Sequence, residues 1–311
     1  MGLLAWLGKQ KTRAVTALVL IGIFLPALGS YLKPFVTEAV FAVLIVAFLR
    51  IDFSAARSYV QKPGLVVAAS AWTTLVVPLL FSIACWASDV GAVSPALFLA
   101  LMLQAVTSPM MAAPAFAALM GLDATLVLLS FIVSSAVTPF SAPMFAALMG
   151  LELPLSPLSL GLKLFGVLTG SAFIGIGLRR LVGEAAVTRY RDELDGVNIL
   201  VLFVFIAAVM GEVGLALLSR PMTVLMLTVL AFGVYAVILV VSYFAFIRTG
   251  RKNAFAIAMM TSQRNMGLML AGTGGVVPDM TWLYIAVGQF PIYLSPQLLQ
   301  PVARFVNKQE T

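Results

Sequence analysis

Residues 253–273 read NAFAIAMMTSQRNMGLMLAGT, an apolar segment that is broken near its middle by five consecutive polar residues. A membrane-spanning helix needs about 20 mostly apolar residues, which matches the length of this segment. An arginine at the centre of such a helix costs about 2.5–3.5 kcal/mol on insertion scales, so it usually faces a cavity and has a function. The alternative, an arginine that reaches the headgroups from the membrane edge, fits less well because Arg264 is central. The candidate site residues are Thr261, Ser262, Gln263, Arg264 and Asn265.

The composition is typical of a membrane protein. Of the 311 residues, 62% are apolar and 10% are charged, against about 25% charged in a typical soluble domain. The net charge of +7 would suggest nucleic acid as a partner of a soluble protein, but here the basic residues lie between apolar runs and mark topology. The chain has no histidine and one cysteine, Cys85, which excludes histidine metal ligands, a Ser–His–Asp triad and an intrachain disulfide. We expect an all-α protein of the lipid bilayer without nucleic acid, cofactor or catalytic activity.

Ten apolar runs are long enough to cross a membrane. They cover residues 13–32, 34–50, 63–86, 95–120, 123–148, 159–179, 196–218, 222–247, 253–273 and 280–305. The only long hydrophilic stretch, residues 179–195, follows the sixth run. We expect about ten transmembrane helices in a single integral membrane domain that covers residues 1–311.

The basic residues support this count, because cytoplasmic loops carry the excess of lysine and arginine. With the N-terminus inside, fifteen basic residues fall on the cytoplasmic side and three on the outside. The inside set is Lys9, Lys11, Arg13, Arg50, Arg57, Lys62, Arg179, Arg180, Arg189, Arg191, Arg248, Arg251, Lys252, Arg304 and Lys308, and the outside set is Lys33, Lys163 and Arg220. Both termini are therefore predicted to be cytoplasmic, in a plasma membrane or bacterial inner membrane.

A second interrupted helix is predicted in the fourth run, where Thr107, Ser108, Pro109 and Pro114 lie mid-span. Each proline removes a backbone donor and clashes with the preceding turn, so the freed carbonyls must be satisfied inside the protein. A simple proline kink is the alternative. The segments that begin at Thr107 and Thr261 lie five helices apart, and each leads to an aspartate and a further apolar helix. An odd number of spans inverts the second copy, so the pattern predicts two inverted five-helix repeats.

Two carboxylates within the apolar runs, Glu38 and Glu212, are candidates for proton coupling. A position near the membrane interface is the alternative explanation for both. Asp123 and Asp279 lie at turns, where helix capping accounts for them.

Three of the runs carry a resemblance to a known family. The fourth run ends in LMGLDATL at residues 119–126, the fifth ends near prolines, and residues 264–268 read RNMGL. These features resemble the bile acid:sodium symporter superfamily, whose signature Gln-Asn-x-Gly-Leu is similar to the last of them. The resemblance implies a panel domain at about 13–50 and 159–218 and a core domain at about 63–148 and 222–305, with broken helices four and nine crossing at the midplane. Family members typically move organic anions, such as bile acids, together with sodium.

The sequence departs from that family where the resemblance implies sodium ligands. Those positions hold Ala113, Pro114 and Met260, and Arg264 replaces the glutamine of the signature. We therefore expect secondary transport of a small or amphipathic organic anion that is independent of sodium and uses protons or anion exchange. The alternatives are a sodium-coupled symporter of the same family, an arsenite-type efflux carrier that uses Cys85, and a membrane protein that does not transport. The chain is expected to be a monomer or a weak homo-oligomer.

Overall fold

The computed structural model describes residues 2–10, 12–50 and 63–308, and the regular elements in these residues are all helices. The α-helices are α1 (Leu3–Gln10), α2 (Thr12–Phe24), α3 (Pro26–Leu32), α4 (Val36–Arg50), α5 (Pro63–Ala71), α6 (Val77–Ala87), α7 (Val90–Val93), α8 (Pro95–Val106), α9 (Ala113–Leu119), α10 (Ala124–Leu148), α11 (Pro157–Val182), α12 (Glu184–Arg189), α13 (Arg191–Ser219), α14 (Pro221–Phe246), α15 (Arg251–Ser262), α16 (Met266–Thr273), α17 (Asp279–Val287) and α18 (Gln289–Lys308). Short 3-10 turns occupy Lys33–Phe35 and Ile247–Thr249, and a π-helical segment occupies Trp72–Val76. The expected all-α class is confirmed for this part of the chain.

Six helical stretches in the described residues are apolar and long enough to cross a membrane. They are Pro26–Arg50, Pro63–Ala87, Ala124–Leu148, Pro157–Val182, Arg191–Ser219 and Pro221–Thr249. In the last of these, only 28% of the most apolar window is buried. Large apolar side chains such as Phe173 and Leu218 are more than 80% exposed, which a protein surrounded by water rarely tolerates over so wide a surface. The chain therefore fits an integral membrane protein.

Three of the other four predicted spans are interrupted helices, and the end of the first predicted span, residues 13–32, falls within Pro26–Arg50. Residues 95–120 form α8 and α9, residues 253–273 form α15 and α16, and residues 280–305 fall on α17 and α18. The first boundary differs from the expected one at Lys33-Pro34, where a 3-10 turn continues the helical path. The chain instead leaves helical geometry at Leu25, with φ −120° and ψ 65°, because Pro26 disfavours the helical conformation of the residue before it.

The chain divides into two compact units. The first comprises Met1–Ile51, Leu153–Leu227 and Gly267–Val287, and the second comprises Asp52–Glu152, Thr228–Met266 and Gly288–Thr311. The panel and core domains that the family resemblance implies stay a prediction. In the first unit an added Cβ would lie 3.0 Å from the ring of Phe205 at Gly267 and 2.7 Å from Leu164 Cδ2 at Gly272, so both glycines pack closely.

In the first unit the chain runs along α13 twice, in opposite directions. The contacts along α13 are Leu4 with Gly196, Ile23 with Gly214, Lys33 with Glu212 and Arg50 with Asp195. The contacted position on α13 moves from residue 196 to residue 214 along residues 4–23, and from residue 212 back to residue 195 along residues 33–50. Residues 4–23 and 33–50 are therefore antiparallel to one another.

Charged pairs collect at one end of α13. Arg50 Nη2 lies 2.5 Å from Asp195 Oδ1, and Arg179 Nη2 lies 2.9 Å from Glu184 Oε1. Arg179 Nη1 also donates to the carbonyl oxygen of Leu49. The sequence pattern assigns all of these residues to the cytoplasmic side. Of the remaining inside set, Lys11, Arg57 and Lys62 lie outside the described residues, as do the side chains of Lys9 and Arg13.

The second unit contains both of the helix interruptions that the sequence predicts. Its apolar core includes Leu126, Val127, Phe255, Ile257 and Met259, all at most 3% exposed. Asp123 caps α10 by accepting a hydrogen bond from the backbone N–H of Leu126, which confirms the capping role expected from the sequence.

Candidate functional site

The two interrupted helices meet at their breaks. Residues 107–112 separate α8 from α9, and residues 263–265 separate α15 from α16. The backbone N–H of Asn265 donates to Ser108 O at 2.9 Å, and that of Met110 donates to Gln263 O at 2.6 Å. Pro109 and Arg264 face each other between these two bonds as an antiparallel bridge. Each break thus satisfies backbone groups that the other leaves without an intrahelical partner, as an apolar environment requires. We call this pair of segments the crossover.

Arg264 is at the centre of the crossover and is only 1% exposed. Its Nη1 atom donates to Thr107 O at 2.9 Å and to Thr73 O at 3.0 Å. Thr107 directly follows the end of α8, and Arg264 itself lies just after the end of α15. Because the C-terminal end of a helix carries partial negative charge, two helix ends stabilise the guanidinium group here.

The Thr73 carbonyl is available to Arg264 because of the local helix geometry. In the π-helical segment the N–H of Val77 bonds to Trp72 O, one residue earlier than in an α-helix. The next residue, Pro78, has no N–H to offer. Thr73 O therefore has no donor from its own helix, and Arg264 provides one. Thr73 was not among the residues predicted from the sequence, and the proline five positions later is the signal that points to it.

Side-chain hydroxyls add further bonds to the crossover. Thr107 Oγ1 donates to Asn265 O at 2.9 Å. Thr73 Oγ1 donates to Ala69 O and lies 3.1 Å from Thr261 Oγ1. A hydroxyl has one proton, so Thr261 is the donor in the pair of threonines. The structure thus brings Thr107, Thr261 and Asn265 together around Thr73.

Two further predicted residues bond elsewhere in the second unit. Ser262 Oγ donates to Met259 O within its own helix at 2.9 Å. Gln263 Nε2 donates to Ser295 Oγ of α18 at 2.8 Å, a partner that the sequence did not indicate. Gln263 therefore links the crossover to α18 by its side chain and to Met110 by its backbone.

Several polar atoms of the crossover are buried and have no hydrogen-bond partner in the described part of the chain. They are Arg264 Nε, Arg264 Nη2, Ser108 Oγ and Gln263 Oε1. A buried polar group without a partner costs about 1–3 kcal/mol, more if charged. Such a concentration of unsatisfied groups is unusual for a merely structural site.

The two prolines of the fourth predicted span have different roles. Pro109 lies in the non-helical segment and pairs with Arg264. Pro114 lies in the first turn of α9, where the backbone N–H has no helical acceptor in any case. The expectation that both prolines remove helical hydrogen bonds is therefore wrong for Pro114, which starts a helix.

Helix α10 contributes hydroxyls that the sequence reasoning did not select. Ser130, Ser134, Ser135 and Ser141 are buried, and within residues 2–10, 12–50 and 63–308 their hydroxyls have no hydrogen-bond partner. The Ser70 hydroxyl donates to the carbonyl of Ser130, which places this part of α10 one turn from Thr73 on the neighbouring helix. Ser130, Ser134 and Ser141 are spaced by four and seven residues, which keeps these three on one face of α10, a pattern visible in the sequence.

The two coupling candidates belong to the first unit. Glu212 Oε1 accepts a hydrogen bond from Lys33 Nζ at 2.7 Å, and both side chains are about one-third exposed. Lys33 Nζ also lies 4.5 Å from the centre of the Trp282 ring. Glu38 is exposed at the start of α4. A pocket of about 240 Å³ next to Lys33 is lined in part by Gly274.

The positions that the family resemblance assigns to sodium ligands are apolar and buried or half-buried. Ala113 and Met260 are fully buried, and Pro114 is half-buried. Cys85 is buried in α6. Among the residues that the structure describes, no group of three or more His, Cys, Asp or Glu side chains is arranged to hold a metal ion.

Comparisons with known proteins identify no family for this chain. No protein-family model matches it, and no curated protein matches it either.

Proposed function

We propose that this chain is a secondary transporter of a small or amphipathic organic anion that works by alternating access and does not require sodium. The observation that carries the proposal is Arg264, a buried cation at the meeting point of two interrupted membrane helices. Interrupted helices of this kind form midplane substrate sites in secondary transporters, where helix ends face charged ligands. The intramembrane arginine is itself a mark of a functional site.

The proposal includes ten spans in two inverted repeats. Six long apolar helices would account for six spans, three interrupted segments for three more, and the helical residues before Leu25 for the tenth. The antiparallel passes of residues 4–23 and 33–50 along α13 support two spans before residue 51. The pairing of residues 107–110 with residues 263–265 joins equivalent positions of the two repeats.

The position of the guanidinium group supports the proposed independence from sodium. Cation ligands in proteins are oxygen atoms, and here Thr73 O and Thr107 O are directed at Arg264 Nη1. An arginine stays charged and cannot leave the site. Arg264 therefore supplies permanently the positive charge that a bound sodium ion would supply reversibly.

Without sodium, the energy must come from protons or from the exchange of one anion for another. Glu212 is the better of the two proton-coupling candidates, because a proton on its carboxylate would break the ion pair with Lys33 in the first unit. Glu212→Gln, which mimics the protonated state, should abolish uptake driven by a pH gradient but preserve anion exchange. Glu38→Gln is the matched control and should change neither. Loss of proton-driven uptake in Glu38→Gln alone would assign the coupling to Glu38.

The direct test is uptake of labelled organic anions into proteoliposomes under imposed gradients. We expect uptake with a pH gradient or with a trapped internal anion, and no change when sodium is replaced by choline. Strong dependence on sodium would favour the sodium-coupled symporter instead. Arsenite efflux that is lost in Cys85→Ala would favour the arsenite-type carrier, and the absence of any flux would favour a membrane protein that does not transport.

A further inference from the structure

The Arg264 side chain has a free edge inside the second unit. Nη1 donates to two carbonyls, whereas Nε and Nη2 have no hydrogen-bond partner among the residues that the structure describes. Nε–H and one Nη2–H point in the same direction along one edge of the planar guanidinium group. Two parallel donors at this spacing match the two oxygens of a carboxylate, which they bind in a bidentate manner.

The positive charge of Arg264 is also not balanced by an acidic side chain. In the described part of the chain its partners are carbonyl oxygens, and the salt bridges there involve other residues. A buried charge is normally paired, because an isolated charge is very unfavourable in an apolar medium. The helix ends next to Arg264 carry only partial negative charge. A ligand with one negative charge would complete the balance.

We propose that the Nε–Nη2 edge of Arg264 binds the carboxylate of a small monocarboxylate. The inference rests on the proposed function and narrows its organic anion to this chemical class. One guanidinium group balances one carboxylate, whereas a dicarboxylate would bring a second charge. The acid group must be small, because Arg264 is 1% exposed and Ser108 is 0% exposed. The Ser108 hydroxyl, which also has no partner among the described residues, is a further donor in the same crossover.

The first test is the thermal stability of the purified full-length protein with propionate, using propionamide as the neutral isostere. A bulky sulfonate serves as the buffer anion, so that chloride is varied separately. Propionate should raise the melting temperature in a saturable manner, because it binds only the folded state, and propionamide should not. A wild-type protein that ignores propionate would overturn the inference. An equal rise in melting temperature with chloride would also overturn it, since a halide ion does not require the two parallel N–H donors of the guanidinium fork.

Variants locate the site. Arg264→Lys keeps the charge but loses the fork, so its affinity for propionate should fall by about tenfold or more. Ser108→Ala removes one neutral donor and should weaken binding several-fold. Arg248→Gln, an exposed arginine in the same unit, is the control and should bind as the wild type does. Unchanged affinity in a folded Arg264→Lys protein would contradict the assignment.

A measurement on the wild type covers the case in which Arg264→Lys does not fold. Infrared difference spectra with propionate labelled with carbon-13 at the carboxylate should show shifted stretching bands when the ligand is bound by the fork. Bands identical to those of free propionate would overturn the inference. The two proposals can then be tested separately. Propionate binding without any uptake would refute the proposed transport function alone. Uptake of other anions without propionate binding would refute only the carboxylate site at Arg264.

Discussion

At the scale of the residue, the crossover depends on the side chain of Arg264, whose nitrogens have different roles. Arg264 gives one nitrogen, Nη1, to two carbonyls that have no helical donor, and it leaves the other two nitrogens unused. The sequence predicted the arginine and its polar neighbours, because five polar residues inside an apolar span are conspicuous. It could not predict Thr73 as a partner, because Thr73 is 191 positions away and only the tertiary fold brings it there.

Arg264→Gln should destabilise the protein, because it leaves Thr73 O and Thr107 O without their donor at about 1–3 kcal/mol for each buried group. Arg264→Lys should be less damaging, since an ammonium group can still donate to both carbonyls. Thermal denaturation in detergent measures both. The exposed Arg248→Gln is the control and should stay within about 0.5 kcal/mol of the wild type. A more stable Arg264→Gln protein would show that burial of the charge destabilises the fold more than its hydrogen bonds stabilise it.

At the scale of the element, prolines indicated where helices are interrupted but not how. The sequence predicted breaks in the fourth and ninth spans, and the structure has them at residues 107–112 and 263–265. It did not predict the π-helical segment Trp72–Val76, because a shift from i+4 to i+5 bonding leaves no periodic pattern in an apolar stretch. Pro114 was misinterpreted for a related reason: a proline that starts a helix and one that breaks a helix look alike in sequence.

Pro78→Ala tests the role of the π-helical segment. The new N–H can bond to Thr73 O and compete with Arg264 Nη1, whereas an ordinary proline kink would only be relieved by the change. We expect the effects of Pro78→Ala and Arg264→Lys on unfolding free energy to be non-additive, with a coupling of about 0.5–3 kcal/mol. A double-mutant cycle measures this coupling. Strictly additive effects would show that Pro78 acts independently of the arginine.

Close helix packing in the first unit provides a second test at this scale. A Cβ added to Gly214 on α13 would overlap the carbonyl oxygen of Ile23, so Gly214→Ala should destabilise by about 1–3 kcal/mol or more. Gly233 on α14 has no atom within 4 Å of an added Cβ. Gly233→Ala is therefore the matched control and should stabilise its helix by about 1 kcal/mol. Equal effects of the two changes on the melting temperature would contradict the packing of residue 23 against α13.

At the scale of the whole molecule, the prediction of an all-α membrane protein rested mainly on composition and on the placement of charged residues. The apolar content required a lipid environment, and the six long apolar helices agree with it. The panel and core domains that the family resemblance implies stay a prediction. Residues 267–287 belong to the first compact unit, where Gly272 packs closely against Leu164. A resemblance based on short motifs carries no information about such contacts.

The orientation in the membrane is the remaining property of the whole molecule that the charge pattern predicts. Helix α13 has 29 residues, so its ends are about 43 Å apart, enough to reach both membrane surfaces. Thr188 and Ser219 lie exposed near its two ends. In a Cys85→Ala background, Ser219→Cys should react with a membrane-impermeant maleimide in intact cells. Thr188→Cys should react only after permeabilisation, because arginines surround it and cytoplasmic loops hold the basic excess. The reverse labelling pattern would place residues 179–195 outside the cell and would overturn the predicted topology together with the assignment of both termini to the cytoplasm.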